Sequence, residues 1–207
     1  MRFLKERFGA TQVTCPGAIL SRPDLLAYIG NGRLALDPVV EETQIEQVSV
    51  DLRLGRKFTT FRTGQQHIPS VRPMPSLWSS LDLWNHEEAD RFTIRPGQFL
   101  LAQTHETVGI PPDLMGFVEG RSSFARVGVS IHVTAPKIDP GFRGRITLEM
   151  MNFGTYPVEL HALEDRPAQL MLFRLTTPLA TDDLYGTKES HRFQHQLDTI
   201  PRQSRKS

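Results

Sequence analysis

The chain has 207 residues, 39% of them hydrophobic, enough for one domain with a real core and no demand for two. Lys plus Arg (24) and Asp plus Glu (23) nearly cancel, which excludes a surface built throughout to coat a nucleic acid polymer, so any basic site must be local. A single cysteine, Cys15, excludes a disulfide framework and any multi-cysteine zinc site, and it fits a reducing cytoplasm.

Residues Met1 to Thr14 carry Arg2, Lys5, Glu6 and Arg7 with no apolar stretch long enough for a signal sequence. No later segment is apolar for long enough to span a bilayer, so the sequence predicts a soluble, cytoplasmic protein. Pro and Gly, 15 of each, cut the chain into short apolar runs, which is an all-β rhythm. One helix start is readable: Ser21 caps, Asp24 stands three residues on as in a capping box, and Leu20 with Leu25 has hydrophobic-staple spacing. The helix should run to about Ile29 and stop at Gly30.

Arg33 to Leu36 and Val48 to Leu54 alternate apolar and polar residues at period two, as half-buried strands do. From Val71 to Ala89 the Pro, Ser, Trp and Asn residues have no clean period, which predicts a long surface excursion holding Trp78 and Trp84 before a strand around Phe92. Further strands are predicted at Phe99 to His105, Leu114 to Glu119, Val129 to Thr134, Arg145 to Asn152, Val158 to Leu160 and Gln169 to Leu175. Many short strands in one domain favour a barrel or sandwich. From about Thr177 apolar periodicity fades, and the chain ends in a polar arm.

Chemistry concentrates between Gly120 and Arg145, where Arg121, Arg126, Lys137, Arg143 and Arg145 face a single acid, Asp139. Gly120-Arg121-Ser122-Ser123 offers backbone N–H groups, two hydroxyls and a guanidinium, the donors a row of phosphate oxygens needs. A capped turn running into Phe124-Ala125-Arg126 fits the same residues. On the strand that follows, Ile146, Leu148 and Met150 share one face, and Thr147, Glu149 and Met151 the other. Glu149 among bulky neighbours suits proton transfer, although a Glu on a solvated face has the same periodicity. His132, between Ile131 and Val133, reads as a structural histidine, and Asp51 as a structural acid pairing with Arg53 or a backbone donor.

Gly120-Arg121-Ser122-Ser123-Phe124-Ala125-Arg126, Ile131 to Ala135, Ile138 to Phe142 and Ile146 to Glu149 together resemble the dCTP deaminases of the trimeric dUTPase superfamily. Further matches are Asp24-Leu25 through Leu34, Val50 to Gly55 with Phe58, Pro167 to Leu170, and Tyr185 followed by Arg192 to Gln196. The resemblance implies a mainly β fold: a distorted β-barrel of the dUTPase type with a short N-terminal helix and a C-terminal arm. It divides the chain into an extension (1–18), the barrel domain (19–176) and an arm closing over the nucleotide (177–207). It also implies a homotrimer with active sites between subunits.

The implied activity is deamination of dCTP to dUTP and ammonia, in pyrimidine deoxynucleotide metabolism, without zinc. Glu149 would be general acid and base, with Ser122, Arg126 and the backbone at Ala135 holding the attacking water. Arg121, Ser122, Ser123 and Arg126 match the phosphate-binding block; Tyr185, Arg192 and Gln196 match residues that close over the triphosphate. Where the family has Lys, this chain has Arg192, which keeps the charge and gains a forked donor. Asp139 and Phe142 match residues that read the deoxyribose. Magnesium would ride on the phosphates, no metal would be held by protein side chains, and dTTP would act as a feedback inhibitor. Pro136 and Lys137 resemble deaminase-only members, predicting that the reaction stops at dUTP. The alternatives are a bifunctional enzyme giving dUMP and pyrophosphate, and a catalytically silent nucleotide-binding regulator.

Overall fold

The computed structural model describes residues 19–62, 83–188 and 190–200. The extension with Cys15, the part of the excursion holding Trp78, and residues 201–207 lie outside the described residues.

The helix α1 spans Arg22–Gly30. At its N-cap, the Asp24 carboxylate accepts the Ser21 backbone N–H at 3.2 Å and the Ser21 hydroxyl at 2.9 Å. The staple pair Leu20 and Leu25 is buried, as is Tyr28 on the same helix. The helix stops where predicted: Asn31 N–H closes on Ala27 O at 3.0 Å, and Gly32 takes a φ of 76°, a left-handed conformation that suits glycine.

The strands, in chain order, are β1 (Ala35–Asp37), β2 (Ser49–Leu52), β3 (Lys57–Phe61), β4 (Trp84–Glu88), β5 (Arg91–Ile94), β6 (Phe99–Gly109) and β7 (Leu114–Gly120). After the short helix α2 (Ser122–Ala125) come β8 (Val129–Ser130), β9 (Lys137–Ile138), β10 (Arg143–Asn152), β11 (Val158–His161) and β12 (Ala168–Arg174). They form one sheet in the order β4-β3-β6-β10-β8 with β1 beside β6, a second in the order β2-β12-β7-β9, and the pair β11-β5. The fold is therefore mainly β, and the distorted barrel takes the form of separate sheets around a shared core. That core joins α1 to all three sheets through buried residues such as Leu25, Val50, Ile94, Leu100, Leu148 and Leu170. Each fully buried side chain of this kind contributes roughly 1.5–3 kcal/mol.

Several strand predictions need correction. Residues Ser49–Leu52 are buried on both faces, so β2, although it ends its sheet, is fully buried and not half-buried. The predicted excursion contains β4, which pairs with β3 in the register Thr59↔His86 and stacks Trp84 on Phe61 at 4.5 Å. Trp84 is thus a packing residue. The strand predicted for Val129 to Thr134 ends at Ser130, whose hydroxyl donates to His132 O at 2.7 Å and turns the backbone out of the ladder. That early end leaves Ile131, His132, Ala135 and Pro136 to line a cavity.

Candidate active site

The alternation read for β10 holds: Ile146, Leu148 and Met150 are buried, while Thr147, Glu149 and Met151 are half-buried on the other face. The β10–β6 register shifts between Arg145 and Thr147, where β6 runs from Thr107 to Gln103, so the extra residues lie on β6 and the alternation of β10 runs unbroken to Glu149. Glu149 thereby reaches a cavity of about 390 Å³, where its Oε2 accepts the Val133 N–H at 3.4 Å.

The facing wall is Ala135 to Phe142. Pro136 O accepts the Val118 N–H at 2.9 Å, and β9 pairs with β7, fixing this wall to the second sheet. Asp139 follows β9 and takes Lys137 Nζ on Oδ1 at 2.6 Å. Phe142 is buried at the start of β10 and presents its ring to the cavity. Between them Gly141 has a φ of 88°, and a Cβ there would come within 2.7 Å of Leu184 Cβ. This close approach is where the arm docks.

The arm lies against its own barrel. Tyr185 N–H donates to Pro140 O at 2.8 Å, and the Gln194 amide bridges the Arg143 N–H and Gly141 O. His195 N–H donates to Arg143 O at 2.6 Å and Arg145 N–H to Gln196 O at 2.9 Å, so residues 194–196 run along the edge of β10. Beyond them Lys57 pairs with Asp198, and the Thr59 and Thr199 hydroxyls share a bond of 2.6 Å. Tyr185 and Gln196 both line the cavity. The Gln196 amide donates to Arg145 O at 2.8 Å and Thr147 Oγ1 at 3.0 Å, which ties this side chain to β10 on the stretch that leads to Glu149.

Ala135, Asp139, Phe142, Glu149, Tyr185 and Gln196 are thus brought together in one cavity. Arg121, Ser122, Ser123 and Arg126 are not among its lining, and Arg192 lines an adjoining cavity of about 430 Å³ with Lys57 and Asp198. Arg121 caps α2, and Ser122, Ser123 and Arg126 are exposed, their side chains making no hydrogen bond among the described residues. The helical turn read from the sequence is present, with its hydroxyls unspent.

The Arg121 guanidinium is held by Asp51, Nη1 to Oδ2 at 3.1 Å. Asp51 was expected to pair with Arg53 or a backbone donor; it takes Arg121 instead, and Arg53 meets the buried Glu106 at 2.8 Å. Burial pushes the Asp51 carboxyl above the ordinary Asp value, with Arg121 pulling it back. Burial likewise raises the Tyr185 phenol; the Phe193 N–H that it accepts opposes this, and the Asp139 charge adds to it. His132 lines the cavity with Nε2 against Glu119 at 3.1 Å. Thr147 was missed by the sequence reading although its position two residues before Glu149, on the same face, was the signal for it.

Electrostatically the cavity is acidic. Glu149 and Asp139 both line it, Lys137 is tied to Asp139, and among the described residues no guanidinium lines it. It can seat a neutral ring and a sugar hydroxyl, whereas a polyanion would need cations brought from outside it.

A family model described as dCTP deaminase-like matches residues 19–175. The "dCTP deaminase, dUMP-forming" of Methanosphaera stadtmanae is 44% identical over 83% of this chain and 86% of that protein. The protein of that same name in Halobacterium salinarum is 40% identical over 86% and 90% of the two chains, and the "dCTP deaminase" of Natronomonas pharaonis 40% identical over 90% and 94%. The crystal structure of 2′-deoxycytidine 5′-triphosphate deaminase from Agrobacterium tumefaciens superimposes with a TM-score of 0.61 at 20% identity, a likeness of fold. It covers 77% of this chain and 49% of that one, so the present chain spans about half its length.

Proposed function

The chain belongs to the dCTP deaminase-like family, and on that premise we propose that it replaces the 4-amino group of dCTP with oxygen from water, releasing dUTP and ammonia. The observation that carries this reading is Glu149, a half-buried carboxylate in a cavity that also holds Asp139 and the Phe142 ring. Attack of water on C4 forms the new C–O bond while Glu149 takes a proton from that water. Glu149 passes the proton to N3; the remaining proton of the attacking water goes to the amino group, the C–N bond breaks, and ammonia leaves as C4=O forms. Asp139 accepts from the 3′-hydroxyl, and Phe142 fills the space a 2′-hydroxyl would take.

The missing cations come, in this reading, from a neighbouring copy in a homotrimer. Arg121, steadied by Asp51, and the exposed Ser122, Ser123 and Arg126, whose side chains make no hydrogen bond or ion pair among the described residues, form a block of donors suited to an anion. Arg192 approaches from the arm. Magnesium is assigned in this reading to the triphosphate oxygens, the hard oxygen ligands it prefers. Among the described residues no helix is long and apolar enough to cross a membrane.

A second reading, in which dUTP goes on to dUMP and pyrophosphate, has its own support. Two of the relatives above are named dUMP-forming, and Asp139 is a second carboxylate in the cavity that a second water would need as its base. Lys137, taken to mark a deaminase-only site, has its charge spent on Asp139. Product stoichiometry decides: equal ammonia and dUTP with no pyrophosphate is the expected result. Stoichiometric dUMP and pyrophosphate from a preparation free of other dUTPases would establish the second reading and leave Glu149 in its role.

A further inference from the structure

Tyr185 is held from several sides, and one of them belongs to no part of the reaction described above. Its backbone N–H is anchored to Pro140 O at 2.8 Å, and its phenol oxygen accepts the Phe193 N–H at 3.1 Å. One side of its ring tilts against Phe142, with centroids 5.9 Å apart. On another the His191 imidazole is stacked nearly parallel, at 4.6 Å and 13°. His191 itself does not line the cavity. Its Nδ1 accepts the Gly186 N–H at 2.8 Å and the Lys188 N–H at 3.3 Å, while the His191 backbone N–H donates to Lys188 O at 2.9 Å. Those two accepted bonds require Nδ1 to be unprotonated, so the proton of the neutral ring sits on Nε2. One side chain thus satisfies two backbone donors of the turn 186–188 and plates the back of the Tyr185 ring.

We propose that His191 is a positioning residue: by stacking on Tyr185 and tying the 186–188 turn through Nδ1, it fixes the orientation in which Tyr185 meets the bound nucleotide. The proposal rests on the reading of the cavity as the dCTP site. It assigns His191 an effect on substrate capture and none on the proton transfers at Glu149, because the His191 ring packs on Tyr185 and is not itself among the cavity lining.

The test is a double-mutant cycle on the full chain with dCTP as substrate. His191→Ala should raise KM by about threefold to tenfold, the range that one ring stack carries, with kcat within about twofold. His191→Phe, which keeps the ring and loses the acceptor, should recover part of the lost affinity. Adding His191→Ala to Tyr185→Ala should change KM no further, because the residue through which it acts is gone. A melting temperature unchanged in His191→Ala separates positioning from folding. An active wild type whose His191→Ala variant keeps its KM, or whose double variant shows the two losses multiplied, would overturn the proposal alone. A wild type that neither binds nor turns over dCTP would overturn the nucleotide reading and this inference with it.

Discussion

His105 on β6 illustrates what burial does to a single titratable side chain. Burial pushes its imidazole below the ordinary histidine value; the Glu106 carboxylate opposes this, and Arg53, Arg145 and Arg56 add to it. In the unfolded chain a histidine titrates near 6.5. Below that pH the unfolded state binds a proton that the folded state refuses, so stability should fall as pH drops from about 7 towards 5. His105→Gln should flatten this slope in melting curves taken across that window. Curves that stay parallel to those of the wild type would show that His105 carries no such linkage. Asp51 has the opposite sign, since its raised carboxyl favours the protonated, neutral form at low pH, and its role is to hold Arg121 while it is charged.

At the scale of elements, the site is the meeting of β10, the wall before it and the arm. Cutting the chain after Asp183 removes Tyr185, Arg192 and Gln196 together with the edge bonds of residues 194–196 to β10. Catalysis with dCTP should suffer more than folding, and unchanged kinetics after the truncation would show that the arm has no part in the reaction. The period-two pattern of β10 and the capping pair Ser21–Asp24 were legible because they depend on residues a few places apart. Asp51–Arg121 was not: the partners lie 70 residues apart in sequence and meet only because β2 and β7 flank β12. Arg53, closer in sequence, was drawn to a buried carboxylate that no local pattern announced. β4 escaped notice because Trp84-Asn85-His86-Glu87-Glu88 is mostly polar, an exposed edge strand held by pairing to β3 on one side. The glycine at 141 was visible as a turn residue, while its second task, leaving room for Leu184 and Tyr185, needs the arm in place.

For the whole molecule the proposal requires that Glu149 and Arg126 serving one nucleotide come from different copies. Mixing two inactive variants tests this directly. When Glu149→Gln and Arg126→Ala chains are co-expressed in equal amounts, random assembly of a cyclic oligomer gives about a quarter of the sites both intact groups, and activity should return to about that level. A site built within a single chain would stay inactive in the mixture. Light scattering on the wild type should report a trimer.

In the proposed reaction Glu149 moves the protons of dCTP deamination without a protein-bound metal. Ammonia release from dCTP should persist in wild-type protein stripped by a chelator and resupplied with magnesium alone. It should fall by at least ~10²-fold in Glu149→Gln, which still binds dCTP but has lost the titratable proton carrier. Substantial turnover by Glu149→Gln, or wild-type activity that returns only with added zinc, would overturn this role for Glu149.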